Sequence, residues 1–494
     1  MPTTNALQRA DKSSQWRSTP SLRQITSAAV VCFAASSAAV AADLAYLQTL
    51  LLATPEGGWV KASSNKFSNA WAPAGDQVSG NVPPYSYANP GSIVRAWSSI
   101  AWDSSRGDIL LWGGGHGNYR GNEMYVWHGS NGAWDRGSLS STIEIYAGLY
   151  LVKDDAAPQS AHTFDGNIYL PKNDMFVTFG GAAFNSGGAF RVRDGLGGVK
   201  AAGPWMWDPN KADPLKVGGT TGSGYNISRP GGEMWTNRSA YTSSVTPSNF
   251  IYASTAYREE AGKDVVYMYA DPGGGNRGSL YRYEAGDVRS GGADLWQRVG
   301  VVDTALTSDN ASAIDSDHGL FVHTSAVGTA TKGLGVWDLS KSNAVNPSAN
   351  RDIYISLTYA DGSEFAVTAK HGLAYDDAND AFLLWDGSQA GTVWVTRPKF
   401  NPDGSLTRTW EVEKKVSVTQ SQPAGQFSNG VYGKWEYVDE LGAFIALNEY
   451  NPTTTDAEVW LYKPFATAVP EPSEWALLAL GLGFLAVRNR RIQV

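Results

Sequence analysis

The stretch Ser99-Ile-Ala-Trp-Asp103, then a turn, Asp108-Ile-Leu-Leu-Trp112 and Gly113-Gly-Gly115 decides the fold. It reads as a short strand ending in an aromatic–acid pair, a tight turn, a strongly apolar second strand and a run of glycines. Short apolar segments separated by Gly, Asn and Asp are typical of β-strands joined by turns. Glu123-Met-Tyr-Val-Trp127 and Trp134 continue the unit. The stretch therefore predicts one four-stranded antiparallel sheet.

The same pattern recurs along the chain. A second clear copy contains His371-Gly-Leu-Ala-Tyr-Asp376 and Ala381-Phe-Leu-Leu-Trp385, and weaker copies begin near His162, Ser254, Ser312 and Gly433. This gives about six units, or seven if residues 205–250 contain another, with a repeat of about fifty residues. One such sheet alone would expose both faces, and radial stacking buries them. The sequence therefore predicts an all-β propeller over residues 57–463.

The two ends of the predicted propeller complement each other. The last unit has no clear outer strand after Tyr462, and Gly57-Gly-Trp59-Val-Lys61 precedes the first full unit. We expect this early strand to complete the last sheet and so close the ring. Residues 42–56, which precede the propeller, are predicted to contain a short helix. Asp43 is its expected N-cap, and Leu44, Leu47 and Leu51 lie on one face.

With Gly113 to Trp134 as the best motif match, residues 57–463 resemble the Kelch and galactose-oxidase-like propellers. The resemblance implies a Kelch-like β-propeller. The resemblance also suggests copper chemistry as a candidate activity, because those oxidases hold copper with Tyr and His and use a Tyr crosslinked to Cys. The single cysteine here is Cys32, which lies in the predicted leader. The mature chain cannot form that cofactor, and we expect no cofactor and no bound metal.

The N-terminal segment has the pattern of a secretory signal. Basic residues between Arg9 and Arg23 precede the apolar run Ile25 to Ala35, and Ala39-Val40-Ala41 supplies small residues for cleavage before Ala42. The run is too short to favour a membrane-spanning anchor. Residues 1–41 are therefore predicted to be a signal peptide with a helical apolar part.

The C-terminal segment has three parts in order. A Pro-containing linker, residues 464–473, carries Pro470, Glu471 and Pro472, and residues 474–494 are an apolar helix followed by Arg488-Asn489-Arg490-Arg491. This order resembles the PEP-CTERM sorting tail of Gram-negative bacteria. The resemblance implies an exosortase-type processing enzyme as partner, transient anchoring in the membrane, and final placement at the cell surface or outside the cell, in the setting of exopolysaccharide and biofilm. A plain single-span anchor is the alternative.

The net charge of the chain is −8. Both predicted processing segments are basic, so the body between them is more acidic than the whole chain. An acidic body disfavours nucleic acid as a partner and disfavours anionic polymers held by bulk charge.

The resemblance places ligands at the mouth of the propeller that is lined by residues just before the inner strands and by the loops after the glycine runs. Before the predicted inner strands lie Arg95, His162, Lys370, His371 and Lys434. After the glycine runs lie His116, Asn118, Tyr119, Arg120, Asn122, Glu123, Asn276 and Arg277.

The loop Gly113 to Glu123 is the densest polar loop of the chain, and two readings of it stay open. Asn122 and Glu123 could hydrogen-bond neighbouring backbone in a structural turn. Alternatively the loop binds a sugar or a carboxylate, with an aromatic ring on the sugar face and Arg, Asn and Glu on its polar groups.

Weak catalytic candidates are His116, His162, His371 and Tyr119. Together they could serve acid–base elimination from a uronic acid, with Arg95, Arg120 or Lys434 neutralising the substrate carboxylate. The three histidines could instead bind a metal with Glu123.

The favoured function is therefore a surface-sorted, non-catalytic propeller that binds glycan or extracellular-matrix components. One alternative is a polysaccharide-degrading enzyme of the uronic-acid lyase type. Another is a scaffold for protein–protein interaction at the cell surface.

Overall fold

The computed structural model describes residues 44–78, 89–153, 156–184, 187–222, 225, 228–239, 245–247, 250–270, 278–303, 305–306, 310–327, 332–368, 370–387, 391–425 and 429–465. The predicted signal peptide and the predicted sorting helix lie outside these residues. Within them, the α-helices are α1 (Ala45–Leu52) and α2 (Gly91–Arg95). No helix in the described ranges is long and apolar enough to cross a membrane.

Helix α1 lies within residues 42–56 and buries Leu47 and Leu51. Its N-cap is Leu44, and Asp43 lies outside the described residues. Single turns of 3₁₀ helix occur at Phe67–Ala70, Pro209–Lys211, Leu339–Lys341, Pro347–Ala349, Asp377–Asn379, Tyr432–Lys434 and Asp439–Leu441.

Four antiparallel sheets each contain four strands. The first sheet consists of β2 (Ile100–Asp103), β3 (Asp108–Leu111), β4 (Tyr125–His128) and β5 (Ala133–Arg136). The second sheet consists of β9 (Asn167–Leu170), β10 (Met175–Thr178), β14 (Trp205–Trp207) and β15 (Trp235–Asn237). The third sheet consists of β16 (Ser254–Glu260), β17 (Lys263–Ala270), β18 (Ser279–Glu284) and β19 (Leu295–Val301). The closing sheet consists of β30 (Trp435–Val438), β31 (Ala443–Leu447), β32 (Val459–Lys463) and β1 (Gly58–Lys61).

A larger sheet of ten strands completes the body. One end contains β20 (Ala305–Leu306), β21 (Ser312–Asp315), β22 (Leu320–Val327), β23 (Lys332–Asp338), β24 (Ile353–Thr358) and β25 (Glu364–Phe365). The other end contains β26 (Gly372–Asp376), β27 (Ala381–Trp385), β28 (Val393–Thr396) and β29 (Thr409–Lys415). A parallel pairing of β24 with β29 joins the two ends.

Three two-stranded elements lie between the end of the first sheet and β14 of the second sheet in sequence. They pair β6 (Ile143–Tyr146) with β7 (Leu149–Val152), β8 (Ala161–His162) with β11 (Ala182–Ala183), and β12 (Arg191–Arg193) with β13 (Val199–Ala201).

The sheets are arranged as in a propeller. The strands β2, β9, β16, β21, β26 and β30 contact one another in this order, and β30 contacts β2 again. These inner strands therefore form a ring. We call the end at which they begin the upper face and the end at which they finish the lower face.

Apolar clusters fill the spaces between neighbouring sheets. Trp112 and Trp207 pack between the first and second sheets, and Trp337 packs between the third sheet and the ten-stranded sheet. One cluster also packs the two ends of the ten-stranded sheet against each other, around Trp410. Burial of such rings is a main source of stability here, because the described residues contain no cysteine that could form a disulfide.

The first described strand closes the ring, as the sequence predicts. Strand β1 pairs antiparallel with β32, with Trp59 opposite Tyr462. Only 1% of Trp59 is exposed, and its ring lies 5.4 Å from Trp385 and 5.6 Å from Trp435. Its indole N–H donates to the carbonyl of Gly391 at 3.0 Å. Because these partners come from two sheets, Trp59 holds the closing sheet against the ten-stranded sheet.

Two expectations need correction. Residues 205–250 do not supply a seventh unit in their described part, because Trp205–Trp207 and Trp235–Asn237 are the outer strands of the second sheet. His162 does not directly precede an inner strand either. It belongs to the short strand β8, and the inner strand starts at Asn167, because the intervening residues form a loop over the ring.

We expect Trp59→Ala to lower the free energy of unfolding by about 3–5 kcal/mol, since it removes a fully buried ring at the closure of the propeller. Urea unfolding followed by circular dichroism measures the change. Lys61→Ala on the same strand, whose side chain is 40% exposed, is the control and should cost less than about 1 kcal/mol. Equal stability of the Trp59 variant and the wild type would show that closure does not depend on this strand.

Candidate functional site

Residues 161–166, which we call the axial loop, cross the centre of the upper face. The Asp165 Oδ2 atom accepts hydrogen bonds from the backbone N–H of Ser312 at 2.9 Å and of Thr255 at 3.2 Å. Its Oδ1 atom lies beside Gly433, where an added Cβ would contact it. These neighbours belong to the ten-stranded sheet, the third sheet and the approach to the closing sheet. Asp165 therefore lies close to the axis of the ring.

Two glycines let the axial loop reach this position. A Cβ at Gly115 would collide with the backbone nitrogen of His162, and a Cβ at Gly181 would collide with its carbonyl oxygen. Gly115 also has a φ of +58°, which is costly for residues with a side chain. The glycine runs after β3 and β10 thus provide the close backbone approach that the sequence indicated.

Four aromatic residues just before inner strands have left-handed backbone conformations. Their φ angles are 43° for Trp97, 52° for Phe164, 64° for Tyr252 and 48° for Tyr432. Each such conformation costs of order 1–3 kcal/mol for a bulky side chain, and such strain is concentrated at functional sites. We call these four residues the aromatic collar.

The collar residues contact one another around the axial loop. The Phe164 ring lies 5.2 Å from Tyr252 and 6.1 Å from Tyr432, and the Phe164 N–H donates to the Trp97 carbonyl at 2.7 Å. Phe164 and Tyr432 are buried, whereas Tyr252 is 44% exposed and Trp97 is half-buried. The collar therefore presents two accessible rings on a rigid base.

Three predicted site residues meet at the edge of the collar. The His162 Nε2–H donates to Asn118 Oδ1 at 2.8 Å, and the His162 ring packs 4.7 Å from Trp97 and 6.2 Å from His116. Burial lowers the pKa of His162 to about 3, and the charge of His116 acts in the same direction. His162 is therefore neutral at physiological pH. His116 is exposed.

Arg95 and Lys434 also lie at the upper face. The Arg95 Nε atom lies 3.3 Å from Glu449 Oε1. Lys434 is fully buried, donates from Nζ to the Ser98 carbonyl at 3.2 Å and lies 5.7 Å from the centre of the Tyr432 ring. Burial lowers the pKa of Lys434 to about 7, although the charge of Glu449 acts in the opposite direction. This lysine supports the collar from below.

The remaining residues of the polar loop point into the first sheet. Glu123 is buried, and its Oε1 atom accepts hydrogen bonds from the hydroxyls of Tyr119 at 2.5 Å and Tyr125 at 3.0 Å. The Asn122 amide donates to the Pro158 carbonyl at 2.8 Å and accepts from the Ser141 N–H. Asn122 thus bonds to backbone groups, whereas Glu123 bonds to the hydroxyls of two tyrosines. The Arg120 guanidinium lies over the Tyr225 ring at 5.6 Å.

The structure places the other predicted residues elsewhere. His371 is buried, its Nδ1 accepts from the Thr368 N–H at 3.0 Å, and its ring packs on Phe365 and Trp394. It therefore forms no cluster with the other two histidines. Lys370 is exposed beside it. Asn276, Arg277, Pro470, Glu471 and Pro472 lie outside the described residues.

Sequence reasoning missed the collar and the carboxyl group beneath it. A signal was present, because an aromatic residue stands two or three positions before four of the inner strands. Below Asp165, a cavity of about 630 Å³ runs between the inner strands toward the lower face. Its wall includes a second carboxyl group, that of Glu436.

We expect an NMR titration to show His162 uncharged until the pH approaches 3, because protonation would place a charge in a buried site. Loss of one imidazole signal in His162→Ala identifies the signal of this residue among those of the six histidines. In the unfolded chain, the His162 imidazole has its ordinary pKa near 6.5 and takes up a proton as the pH falls below this value. In the folded protein the same imidazole stays neutral over this range. The stability contributed by this residue is therefore complete above pH 6.5 and declines as the pH falls toward 3. A His162 midpoint near 6.5 would contradict the buried arrangement.

Comparisons with known proteins give structural likeness at low similarity. No family model matches the chain, and no curated protein matches it. An α-L-arabinofuranosidase from Fusarium graminearum, solved with an iminosugar inhibitor, is 11% identical, with a TM-score of 0.36 over 74% of this chain and 91% of the other. An α-L-arabinanase from Penicillium chrysogenum with arabinobiose is 10% identical, with a TM-score of 0.32 over 76% and 95%. TolB from Acinetobacter baumannii is 12% identical, with a TM-score of 0.28 over 65% and 57%.

Proposed function

We propose that this protein is an exported, non-catalytic β-propeller that binds a glycan at the aromatic collar of its upper face. The single observation that carries the proposal is the exposure of Trp97 and Tyr252 on a strained, tightly packed base. Strain of this kind persists only where the surrounding structure determines it. A collar kept only for packing would not need two accessible rings.

The chemistry of the collar suits a sugar. Aromatic faces stack on the apolar faces of sugar rings, and neighbouring polar groups pair with hydroxyls. Asn118 and the exposed His116 lie at one edge of Trp97, and Arg95 precedes it by two residues. Because the collar is rigid before binding, little side-chain entropy is lost when a ligand arrives.

We interpret the fold as a six-bladed, Kelch-like propeller. The ten-stranded sheet contains two antiparallel meanders, β21–β24 and β26–β29, and each resembles a separate blade. The parallel pairing of β24 with β29 is the contact that joins these two meanders. Together with the four separate sheets they give six blades, in agreement with the ring of inner strands.

The proposed setting rests on the chain ends. The leader ending at Ala41 and the tail with Pro470, Glu471 and Pro472 support export, recognition by an exosortase-type enzyme and display at the cell surface. A polysaccharide of the extracellular matrix is then the nearest available ligand. The absence of cysteine from the mature body supports a binding role over copper-radical oxidation.

A lyase is the second candidate, and the proximity of His116 and His162 favours it. The exposed His116 could accept a proton and Arg95 could pair with a uronate carboxylate, whereas the lowered pKa of His162 makes that imidazole a weak base. Tyr119 is occupied with Glu123, and His371 lies in another cluster, so the enzyme would depend on two histidines. Incubation with uronic-acid polymers, followed by ultraviolet absorbance of the unsaturated product, tests this candidate. A scaffold role is tested by pull-down from outer-membrane extracts.

We expect Trp97→Ala and Tyr252→Ala each to weaken glycan binding by roughly tenfold, since loss of one stacked ring removes about 1–2 kcal/mol. A glycan array that includes the polysaccharide of the host identifies the ligand, and isothermal titration calorimetry measures each variant. Phe400→Ala, which changes a ring that is 39% exposed outside the collar, is the matched control. Absence of binding to every glycan, or unchanged affinity in both collar variants, would contradict the proposal.

We expect the protein isolated from its host to begin at Ala42 and to lack residues after the Pro-Glu-Pro motif, because signal peptidase and the sorting enzyme each cut once. Intact-mass spectrometry of the surface fraction measures both ends. Glu471→Ala is the test variant and should retain the C-terminal segment in the membrane fraction. A mature protein that still carries residues 474–494 would favour a plain anchor instead.

A further inference from the structure

The cavity below Asp165 is separate from the collar. The axial loop closes its upper end, and residues such as Lys172, Glu259 and Glu440 lie at its lower rim. Its volume of about 630 Å³ is within the range of pockets that hold small molecules. A ligand would therefore enter from the lower face and end against Asp165.

The wall of this cavity is aromatic. Trp102, Tyr169, Tyr257, Tyr375 and Tyr437 occupy matching positions in five of the inner strands and line the cavity.

The hydroxyl groups of three of these tyrosines are held by carboxylates at the turns. Tyr169 donates to Asp174 at 2.7 Å, Tyr257 donates to Asp264 at 3.1 Å, and Tyr375 donates to Asp380 at 2.8 Å. These bonds fix the rings in place, so the aromatic wall is formed before any ligand binds.

One position of the inner strands is apolar in every strand except one. It is Ala101, Ala256, Ala313 and Ala374 in four strands and Ile168 in β9, and it is Glu436 in β30. The described contact of the Glu436 carboxylate is a 3.1 Å hydrogen bond from the Trp102 N–H to Oε2. A carboxyl group in place of a small apolar side chain adds an acidic group to the cavity wall that packing does not require. Departures of this kind from a repeated pattern mark functional positions.

Asp165 and Glu436 affect each other. Burial raises the pKa of Asp165, and burial together with the charge of Asp165 raises the pKa of Glu436. Asp165 is only 8% exposed and faces the cavity. Two carboxylates in one buried site repel each other, and a positive charge between them would stabilise both.

The other charged residues that line the cavity also favour a positively charged ligand. Carboxylates outnumber cations by six to two among the residues that line the cavity. One of the cations, Lys172, is already paired with Glu259 at 2.8 Å. The field inside the cavity therefore favours cations and disfavours anions such as uronates.

We propose that the cavity binds a small organic cation whose primary ammonium group lies between Asp165 and Glu436 and whose carbon skeleton packs on the tyrosine rings. Aromatic walls with buried carboxylates are suited to organic ammonium groups, through cation–π attraction and charge-assisted hydrogen bonds. An amino sugar and an alkyl diamine share this chemistry. The site does not depend on glycan binding at the collar.

Isothermal titration calorimetry on the full chain tests the proposal with glucosamine and 1,4-diaminobutane as the two sources of ammonium. Glucose and 1,4-butanediol are the matched neutral compounds. We expect at least one amine to bind and neither neutral compound to do so. Glu436→Gln should weaken amine binding by roughly tenfold or more, because a charge-assisted hydrogen bond is lost. Asp403→Asn, in an exposed turn, should leave the affinity unchanged.

Two further variants distinguish amine binding from effects on folding and from glycan binding at the collar. Glu436→Ala introduces the residue that four of the other inner strands have and should fold with an unchanged or higher melting temperature, while it loses amine binding. Trp97→Ala should weaken glycan binding and leave amine binding unchanged, which separates this site from the collar. Equal binding of amines and neutral compounds, unchanged amine affinity in Glu436→Gln, or binding of Ca²⁺ alone that requires Glu436 would each overturn the proposal.

Discussion

The pairing of β1 with β32 is the constraint on which the rest of the structure depends. Every sheet is held by apolar contacts with its two neighbours, so a ring with one open joint would expose two faces at once. Strand β1 prevents this by completing the closing sheet and placing Trp59 against Trp385, Trp435 and Tyr462. The described residues contain no cysteine, so no disulfide among them replaces this joint. The arrangement of residues at the upper and lower faces depends on closure of the ring.

The axial loop divides the interior of that ring into two environments. Above it, strained aromatic residues and neutral His162 form a surface suited to stacking. Below it, Asp165 and Glu436 face a cavity whose lining contains more acidic than basic side chains. The same six residues thus supply Phe164 to the collar and Asp165 to the cavity. Selection for one side therefore restricts change on the other, because a shift of the loop would move both residues.

Sequence reasoning could predict what depends on local repetition. The apolar strands, the glycine turns and the closure by Gly58–Lys61 all follow from patterns within single units, and the structure contains each of them. The position of His162 could not be predicted, because its strand is defined by long-range contact with Gly115 and Gly181. Asp165 was missed for the same reason, since its partners Thr255 and Ser312 are distant in sequence. Asn122 and Glu123 look like surface polar groups in the sequence but have buried partners.

Closure by the two ends of the chain also sets the order of events during biogenesis. Among the described strands, the first pairs with the last, and the two are separated by about the whole length of the body. On the proposed export route, with the N-terminus leading, β1 would cross the membrane early and have no partner until β32 followed. Contacts of such long sequence separation form slowly. If the proposed sorting tail holds the chain at the membrane during this interval, its proposed removal would be best timed after the ring has closed.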